Sequence, residues 1–282
     1  MEAARLALDG GSVAGIAVEA AFALLGLWLL WRHALSPAAR AARPPARLGP
    51  WPGAASDLFL LLLLTLGGAF GFAIAASFVL RWAKADLNAT EVWLIAASQG
   101  GLLAGAGAFY AFFASWRPRA AAVPSEMLRS GLVTFFLIFP IVVAVAFLWQ
   151  NFLQVCGVPV RQQDAVEIFE RTHSLFLRCV FAGAAMIIAP ITEEIIFRAG
   201  IFRFLRSHVP RPIAIGASAL LFGAAHLYPS PLDGLAAFVP LVVLGVVLSL
   251  AYERTGRIST TMVAHALFNL NTLVALLLGL NL

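Results

Sequence analysis

The chain has 282 residues, of which 61% are hydrophobic and 12% charged, and its formal net charge is +5. A mean hydropathy of +0.91 excludes an ordinary soluble globular domain and places the chain in a lipid bilayer. The positive charge does not require nucleic acid as a partner, because the cytoplasmic loops of membrane proteins carry an excess of Lys and Arg.

Long apolar runs predict transmembrane helices, since a helix needs about 20 apolar residues to cross a bilayer. The runs lack the alternation of a β-barrel, so we expect an all-α, polytopic transmembrane helical bundle of about eight spans. The predicted spans are 13–31, 58–80, 92–114, 132–153, 175–197, 212–228, 236–252 and 258–280. We expect the first run to be retained as a span, because it is too long for a signal peptide and contains Glu19.

The distribution of arginine predicts the orientation. Most Arg residues fall in loops that are cytoplasmic if the N-terminus lies outside, such as those with Arg43, Arg203 and Arg254. We therefore expect a multi-pass protein with both termini outside, and the richness in Ala and Arg, typical of a bacterial chain, predicts the cell inner membrane. Cys156 and Cys179 would then both lie toward the outer side, where they could pair, although free buried thiols are the favoured interpretation.

The polar and charged residues that fall inside predicted membrane spans are concentrated after residue 175. Just before them, Val166, Phe169, His173 and Phe176 recur at helical spacing, which predicts a short helix on the membrane surface. We accordingly divide the chain into N-terminal scaffold helices (1–153), an interfacial linker (154–174) and a core that carries the candidate functional residues (175–282).

The most unusual segment is 190–198, which places two glutamates and an arginine in an apolar helix. Each charge at the centre of a bilayer costs about 2.5–3.5 kcal/mol. Glu194 and Arg198 have the spacing of a salt bridge along a helix. Glu193 points elsewhere, has no local partner and is suited to act as a general base, unless both glutamates only tie helices together. Pro190 removes a backbone hydrogen bond and is expected to kink the helix nearby.

Two further pairs lie in later apolar runs. Phe222 and His226 share one helical face, as do His265 and Asn269. Either pair alone could be an ordinary polar contact between helices. At 1.5 Å per residue, Glu193, His226 and His265 lie about 15, 22 and 12 Å from the nearest basic loop. This similar depth predicts that the polar side chains converge on one buried site in the inner half of the membrane.

The order Glu-Glu-x-x-x-Arg, Phe-x-x-x-His and His-x-x-x-Asn resembles the CPBP family, the CAAX protease and bacteriocin-processing intramembrane proteases. This family includes the type II CAAX prenyl endopeptidases. The resemblance is carried by residues 193–198, 221–226, 254–256 and 265–269, and it covers about 175–282. In one departure, Ala199 stands directly after the motif arginine, where the family often has Gly.

The resemblance implies an intramembrane endopeptidase that hydrolyses a peptide bond near the membrane surface, in a peptide or membrane-anchored protein. It also implies a division of labour among the motif residues. Glu193 and His226 would activate a water molecule, while His265 and Asn269 would form the oxyanion hole. The supporting residues would be Glu194, Arg198 and Phe222.

The sequence leaves alternatives open. Glu193, His226 and His265 could together hold Zn²⁺. The chain lacks the His-Glu-x-x-His zinc motif, however, and the resemblance implies a metal-free mechanism, so we expect no cofactor. A non-enzymatic membrane partner of the bacteriocin self-immunity or scaffold type is a second interpretation. A third, an ion- or proton-coupled transporter, is less favoured because the sequence shows no duplicated halves.

Overall fold

A computed structural model of the chain describes residues 17, 20–21, 24–29, 31–41, 45–113, 117, 123–158, 164–227 and 231–277. Within these ranges the secondary structure is helical, without β-strands, which confirms the all-α class. Short helical pieces at Trp31–Leu35 and Pro37–Ala41 precede the main helices. The main helices are α1 (Ala55–Trp82), α2 (Leu87–Phe112), α3 (Pro124–Val155), α4 (Asp164–Arg171), α5 (Leu175–His208), α6 (Arg211–Ala225), α7 (Pro231–Thr255) and α8 (Ile258–Leu277).

Among the described residues, six helices are long and apolar enough to cross a membrane, namely α1, α2, α3, α5, α7 and α8. The chain is therefore a multi-pass membrane protein. The count of eight spans is not confirmed. About half of the predicted span 13–31 lies outside the described residues, and the predicted span 212–228 is α6, which has only 15 residues. A helix of this length reaches about 22 Å, less than the roughly 30 Å of the hydrocarbon core.

The linker helix forms as α4, but it is shorter than the apolar pattern predicts. It ends at Arg171, and Ser174 then caps α5 by accepting a hydrogen bond from the Leu177 N–H. His173 and Phe176 therefore do not continue the same helix. Phe169 is buried and its ring lies 5.6 Å from that of Phe181, so α4 packs onto α5.

Helix α5 lies at the centre of the bundle and contacts α1, α2, α6, α7 and α8. Helices α6 and α7 form a hairpin, and α3 packs against α7 and α8. Cys156 and Cys179 are free, in agreement with the unpaired interpretation, but both are exposed and not buried.

Glycines bring α1 and α2 into close contact. A Cβ added at Gly101 would collide with the carbonyl oxygen of Gly68, and one added at Gly105 with that of Leu64. Small residues at such contacts let helix backbones approach each other in a membrane, where van der Waals packing drives helix association. The pair α1–α2 thus forms a tight unit beside α5.

We expect Gly105→Ala to lower the thermal midpoint of the protein, since overpacking costs about 1–3 kcal/mol. The matched control is Gly107→Ala in the same helix, where a Cβ would meet no atom within 4 Å. This control should be neutral or slightly stabilising, because Ala favours a helix by about 1 kcal/mol over Gly. Thermal unfolding in detergent measures both variants, and equal midpoints would contradict the close approach.

Candidate active site

The hydrogen-bond register of α5 changes next to the two glutamates. Two π-helical stretches, Ala184–Ile188 and Glu194–Phe202, flank an α-helical turn that contains Pro190. The N–H of Ala189 donates to the carbonyl of Ala184, and Pro190 has no N–H to donate. The carbonyl of Ala185 is thus left without its usual backbone donor.

Asn269 on α8 supplies the missing donor. Its Nδ2 lies 2.8 Å from the carbonyl oxygen of Ala185. The backbone hydrogen bond that is lost near Pro190 in α5 therefore fixes the position of Asn269 on α8. π-Helical segments are frequent at functional sites, and here they place α5 against α8.

Glu194 and Arg198 form the predicted salt bridge. Their Oε1 and Nη1 atoms are 3.1 Å apart, and both side chains are fully buried. The Arg198 guanidinium also lies 4.3 Å from the centroid of the Phe222 ring, in a cation–π contact. The pairing offsets much of the cost of burying either charge.

Glu194 also holds His265. Its Oε1 lies 2.9 Å from Nδ1 of His265, across the contact between α5 and α8. An ionised carboxylate can only accept hydrogen bonds, so the imidazole carries a proton on Nδ1 and directs Nε2 elsewhere. Arg198, Glu194 and His265 form a continuous buried chain of charge-assisted contacts.

Glu193 faces two imidazoles. Its Oε2 lies 3.8 Å from Nε2 of His226 and 3.7 Å from Nε2 of His265. Both separations exceed a direct hydrogen bond. The Glu193 side chain remains 17% exposed and that of His226 26% exposed, whereas His265 is buried. The Oε2 atom itself is buried and has no hydrogen-bond partner among the described residues, so the exposed part of the side chain lies on the far side from the two ring nitrogens.

Phe222 holds the two histidine rings in place. It is fully buried, and its ring centroid lies 4.9 Å from that of His226 and 5.7 Å from that of His265. The carbonyl of Phe222 accepts a hydrogen bond of 2.8 Å from Nδ1 of His226. In its neutral form, the His226 ring then carries no proton on Nε2, the nitrogen that faces Glu193.

The structure brings together Glu193, His226 and His265, as the depth argument predicts. Glu194, Arg198 and Phe222 surround them. Asn269 lies one turn beyond His265 on α8, with one amide N–H bound to Ala185. The second N–H of that amide is left for another acceptor.

Gln99 on α2 makes a polar contact beside the site that the sequence analysis did not predict. The first four predicted spans contained no candidate functional residue and were interpreted as scaffold helices. Its Oε1 lies 3.2 Å from the hydroxyl of Thr192, the neighbour of Glu193 in the chain. Val92 and Ile95, seven and four residues earlier, pack against the N-terminal part of α5. An amide within such an apolar helical stripe is the signal that could have identified Gln99.

The candidate zinc ligands lie slightly farther apart here than the ligands of a tetrahedral zinc ion. Zn–N and Zn–O bonds of about 2.0–2.1 Å place tetrahedral ligands about 3.4 Å apart. The two separations from Glu193 to the histidines are 3.7 and 3.8 Å. Within the described part of the chain, no group of three His, Cys, Asp or Glu side chains has the arrangement of a metal site.

The family model described as type II CAAX prenyl endopeptidase Rce1-like matches residues 174–271. The match confirms the resemblance that the three motifs predict, and it spans α5 to most of α8. At the level of the family, it supports a membrane-embedded protease of the CAAX type. Comparisons with curated proteins and with solved structures gave no significant match.

We expect Arg198→Met to destabilise the protein by about 3–5 kcal/mol, because it leaves the Glu194 carboxylate buried without its partner. The double variant Arg198→Met/Glu194→Gln should recover part of this loss. As a control, Arg257→Met breaks an ion pair with Glu126 whose side chains are 36% and 48% exposed, and should cost less than about 1 kcal/mol. Equilibrium unfolding in mixed micelles compares the three, and a similar loss for both single variants would refute the argument.

Proposed function

We propose that this chain is an intramembrane endopeptidase that hydrolyses a peptide bond near the membrane surface with a water molecule activated by Glu193 and His226. The observation that carries the proposal is the position of Glu193 Oε2, a buried oxygen without a hydrogen-bond partner among the described residues that lies within 3.8 Å of two imidazole nitrogens. The family match over the same helices supports this class of reaction.

The gap between Glu193 and His226 suits a bridging water. A water molecule about 2.8 Å from each atom spans their 3.8 Å separation. Both atoms are hydrogen-bond acceptors, since Nδ1 of His226 already donates to the Phe222 carbonyl. The water therefore donates both of its hydrogens and keeps a lone pair for attack. This is the arrangement that general-base catalysis requires.

In the proposed reaction, the water oxygen attacks the carbonyl carbon of the scissile bond as its proton passes to Glu193. The resulting tetrahedral intermediate carries a negative oxygen. When the C–N bond breaks, the proton held by Glu193 passes to the leaving amine. The two histidines border the same space, so a substrate carbonyl near Glu193 also lies near Nε2 of His265.

His265 and Asn269 are the proposed oxyanion donors. Nε2 of His265 can donate only when the ring is charged, because Glu194 accepts the hydrogen bond from Nδ1. Glu194 is paired with Arg198, so the two residues together fix the orientation of the His265 ring. Asn269 contributes the amide N–H that Ala185 does not use. Donors fixed in this way stabilise charge without reorganisation.

The proposed substrate is a peptide precursor or a membrane-anchored protein whose C-terminal part is lipidated or hydrophobic. We place the enzyme in the cell inner membrane with both termini outside. Supporting this orientation, Arg206, Arg211 and Arg257 lie at one end of the spanning helices, which would be the cytoplasmic end.

We expect Glu193→Gln to reduce turnover by about 10²–10⁴-fold with little change in thermal midpoint, because it removes the base and keeps the side-chain shape. The assay is cleavage of a fluorogenic peptide with a hydrophobic or lipidated C-terminal part in proteoliposomes. Glu126→Gln is the control, since that carboxylate is exposed and pairs with Arg257. Unchanged turnover in Glu193→Gln would remove the proposed base, and a folded wild-type protein that cleaves no such peptide would favour a non-enzymatic role.

Exhaustive chelation should leave the activity intact, because the proposed mechanism uses only side chains and water. The measurement pairs peptide cleavage after dialysis against EDTA with elemental analysis of the purified protein. Stoichiometric zinc whose removal abolishes cleavage, and whose return restores it, would overturn the metal-free mechanism.

A further inference from the structure

The segment 45–54, here called the N-terminal strap, crosses the ends of α5 and α7. The backbone N–H groups of Arg47 and Leu48 donate to the carbonyl of Glu253 at 3.0 and 3.2 Å. Trp51 is buried, and its N–H donates to the hydroxyl of Ser207 at 2.7 Å. The strap is therefore held to the core by backbone contacts at both ends.

A cavity of about 180 Å³ lies between the strap and the core. Gly49 and Pro50 line it on the strap side, and Arg203, Arg206 and Glu253 line it on the core side. One water molecule occupies about 30 Å³ in the liquid, so the volume admits a group of several heavy atoms. The cavity lies at the ends of the membrane-spanning helices and far from Glu193 along α5.

The charge in the cavity is positive and its arginines are held in place. Oε1 of Glu253 lies 2.7 Å from Nε of Arg206, and its Oε2 lies 2.7 Å from Nη2 of Arg211. Nε of Arg203 donates to the carbonyls of Gly49 and Pro50 at 3.1 Å. Two guanidinium groups thus share the single carboxylate of Glu253, and a third guanidinium, that of Arg203, lines the same cavity.

Arg206 has hydrogen-bond donors that its contact with Glu253 does not use. Its Nε is bound to Glu253, while its terminal nitrogens Nη1 and Nη2 have no hydrogen-bond partner among the described residues. The side chain is 36% exposed and lines the cavity. Glu253 thus orients the planar guanidinium and leaves its two terminal amino groups for a ligand. An oxyanion with several acceptor oxygens satisfies them best, because the guanidinium fork matches phosphate geometry.

We propose that this cavity binds a phosphate group, carried either by an anionic lipid headgroup or by free phosphate. Lipid phosphates lie at the level where the spanning helices end, and basic pockets between such helices bind anionic headgroups. A phosphate in the cavity would connect the strap to α5 through Arg206. The site is independent of the proposed peptidase activity.

The test uses the full chain, purified in a neutral detergent and depleted of lipid. The protein is titrated separately with phosphatidylglycerol, phosphatidylcholine and inorganic phosphate, and the thermal midpoint is followed, because a ligand of the folded state raises it. Native mass spectrometry counts bound lipid. We expect phosphatidylglycerol to raise the midpoint at concentrations where the zwitterionic lipid does not.

The variant Arg206→Gln should weaken binding by about tenfold, the effect of losing charge-assisted hydrogen bonds. Arg254→Gln is the matched control, since it removes one charge from the same end at an exposed position outside the cavity. A midpoint that responds to inorganic phosphate alone would support the site and identify free phosphate as the ligand.

Three results would overturn the proposal: no response to either phosphate source, equal weakening by both variants, or unchanged binding in Arg206→Gln. Equal weakening would mean that the basic end attracts anions only through its overall charge. If Arg206→Gln does not fold, Arg206→Lys answers the same question, because it keeps the charge and loses the fork. Binding of Arg206→Lys as tight as that of the original chain would then refute the site.

Discussion

The rest of the site depends on the neutralisation of Glu194 by Arg198 inside α5. Two fully buried charges are tolerated in a bilayer only when they are paired, and Glu194 also accepts a hydrogen bond from His265 of α8. These contacts fix α8 against α5 and orient the His265 ring. They also distinguish the two neighbouring glutamates, since Glu194 is bound to Arg198 and His265, while Oε2 of Glu193 has no hydrogen-bond partner among the described residues.

The features that could be read from the sequence are those that follow from the helical period. The spacing of Glu194 and Arg198 predicts their bridge, and counting residues from the basic loops predicts that Glu193 and the two histidines meet. The hydrogen-bond register of α5 could not be predicted from the helical period. Pro190 indicates that a backbone bond is lost, but which carbonyl is left without a donor depends on the π-helical turn around it.

Helix α6 ends before the predicted span does, and this earlier end determines how the His226 ring is oriented. Apolar residues continue to residue 228, but the helix ends at Ala225, ahead of Pro229 and Pro231, which cannot continue it. His226 therefore lies at the helix end, where its own N–H donates to Gly223 and the carbonyl of Phe222 loses its regular donor. The His226 ring donates from Nδ1 to that carbonyl. The end of the helix thus orients the His226 ring so that Nε2 faces Glu193.

Counting hydrogen-bond donors limits how far Asn269 could contribute to the proposed oxyanion hole. An amide has two N–H groups, and one of them satisfies the carbonyl of Ala185 that Pro190 leaves without a donor. At most one N–H of Asn269 would remain for the oxyanion of the proposed intermediate, so the proposed oxyanion hole would rely mainly on His265. The position of the His265 ring depends in turn on Glu194, which lies 2.9 Å from its Nδ1 and is itself held by Arg198 at 3.1 Å. The salt bridge inside α5 therefore also positions the ring that would act on the oxyanion.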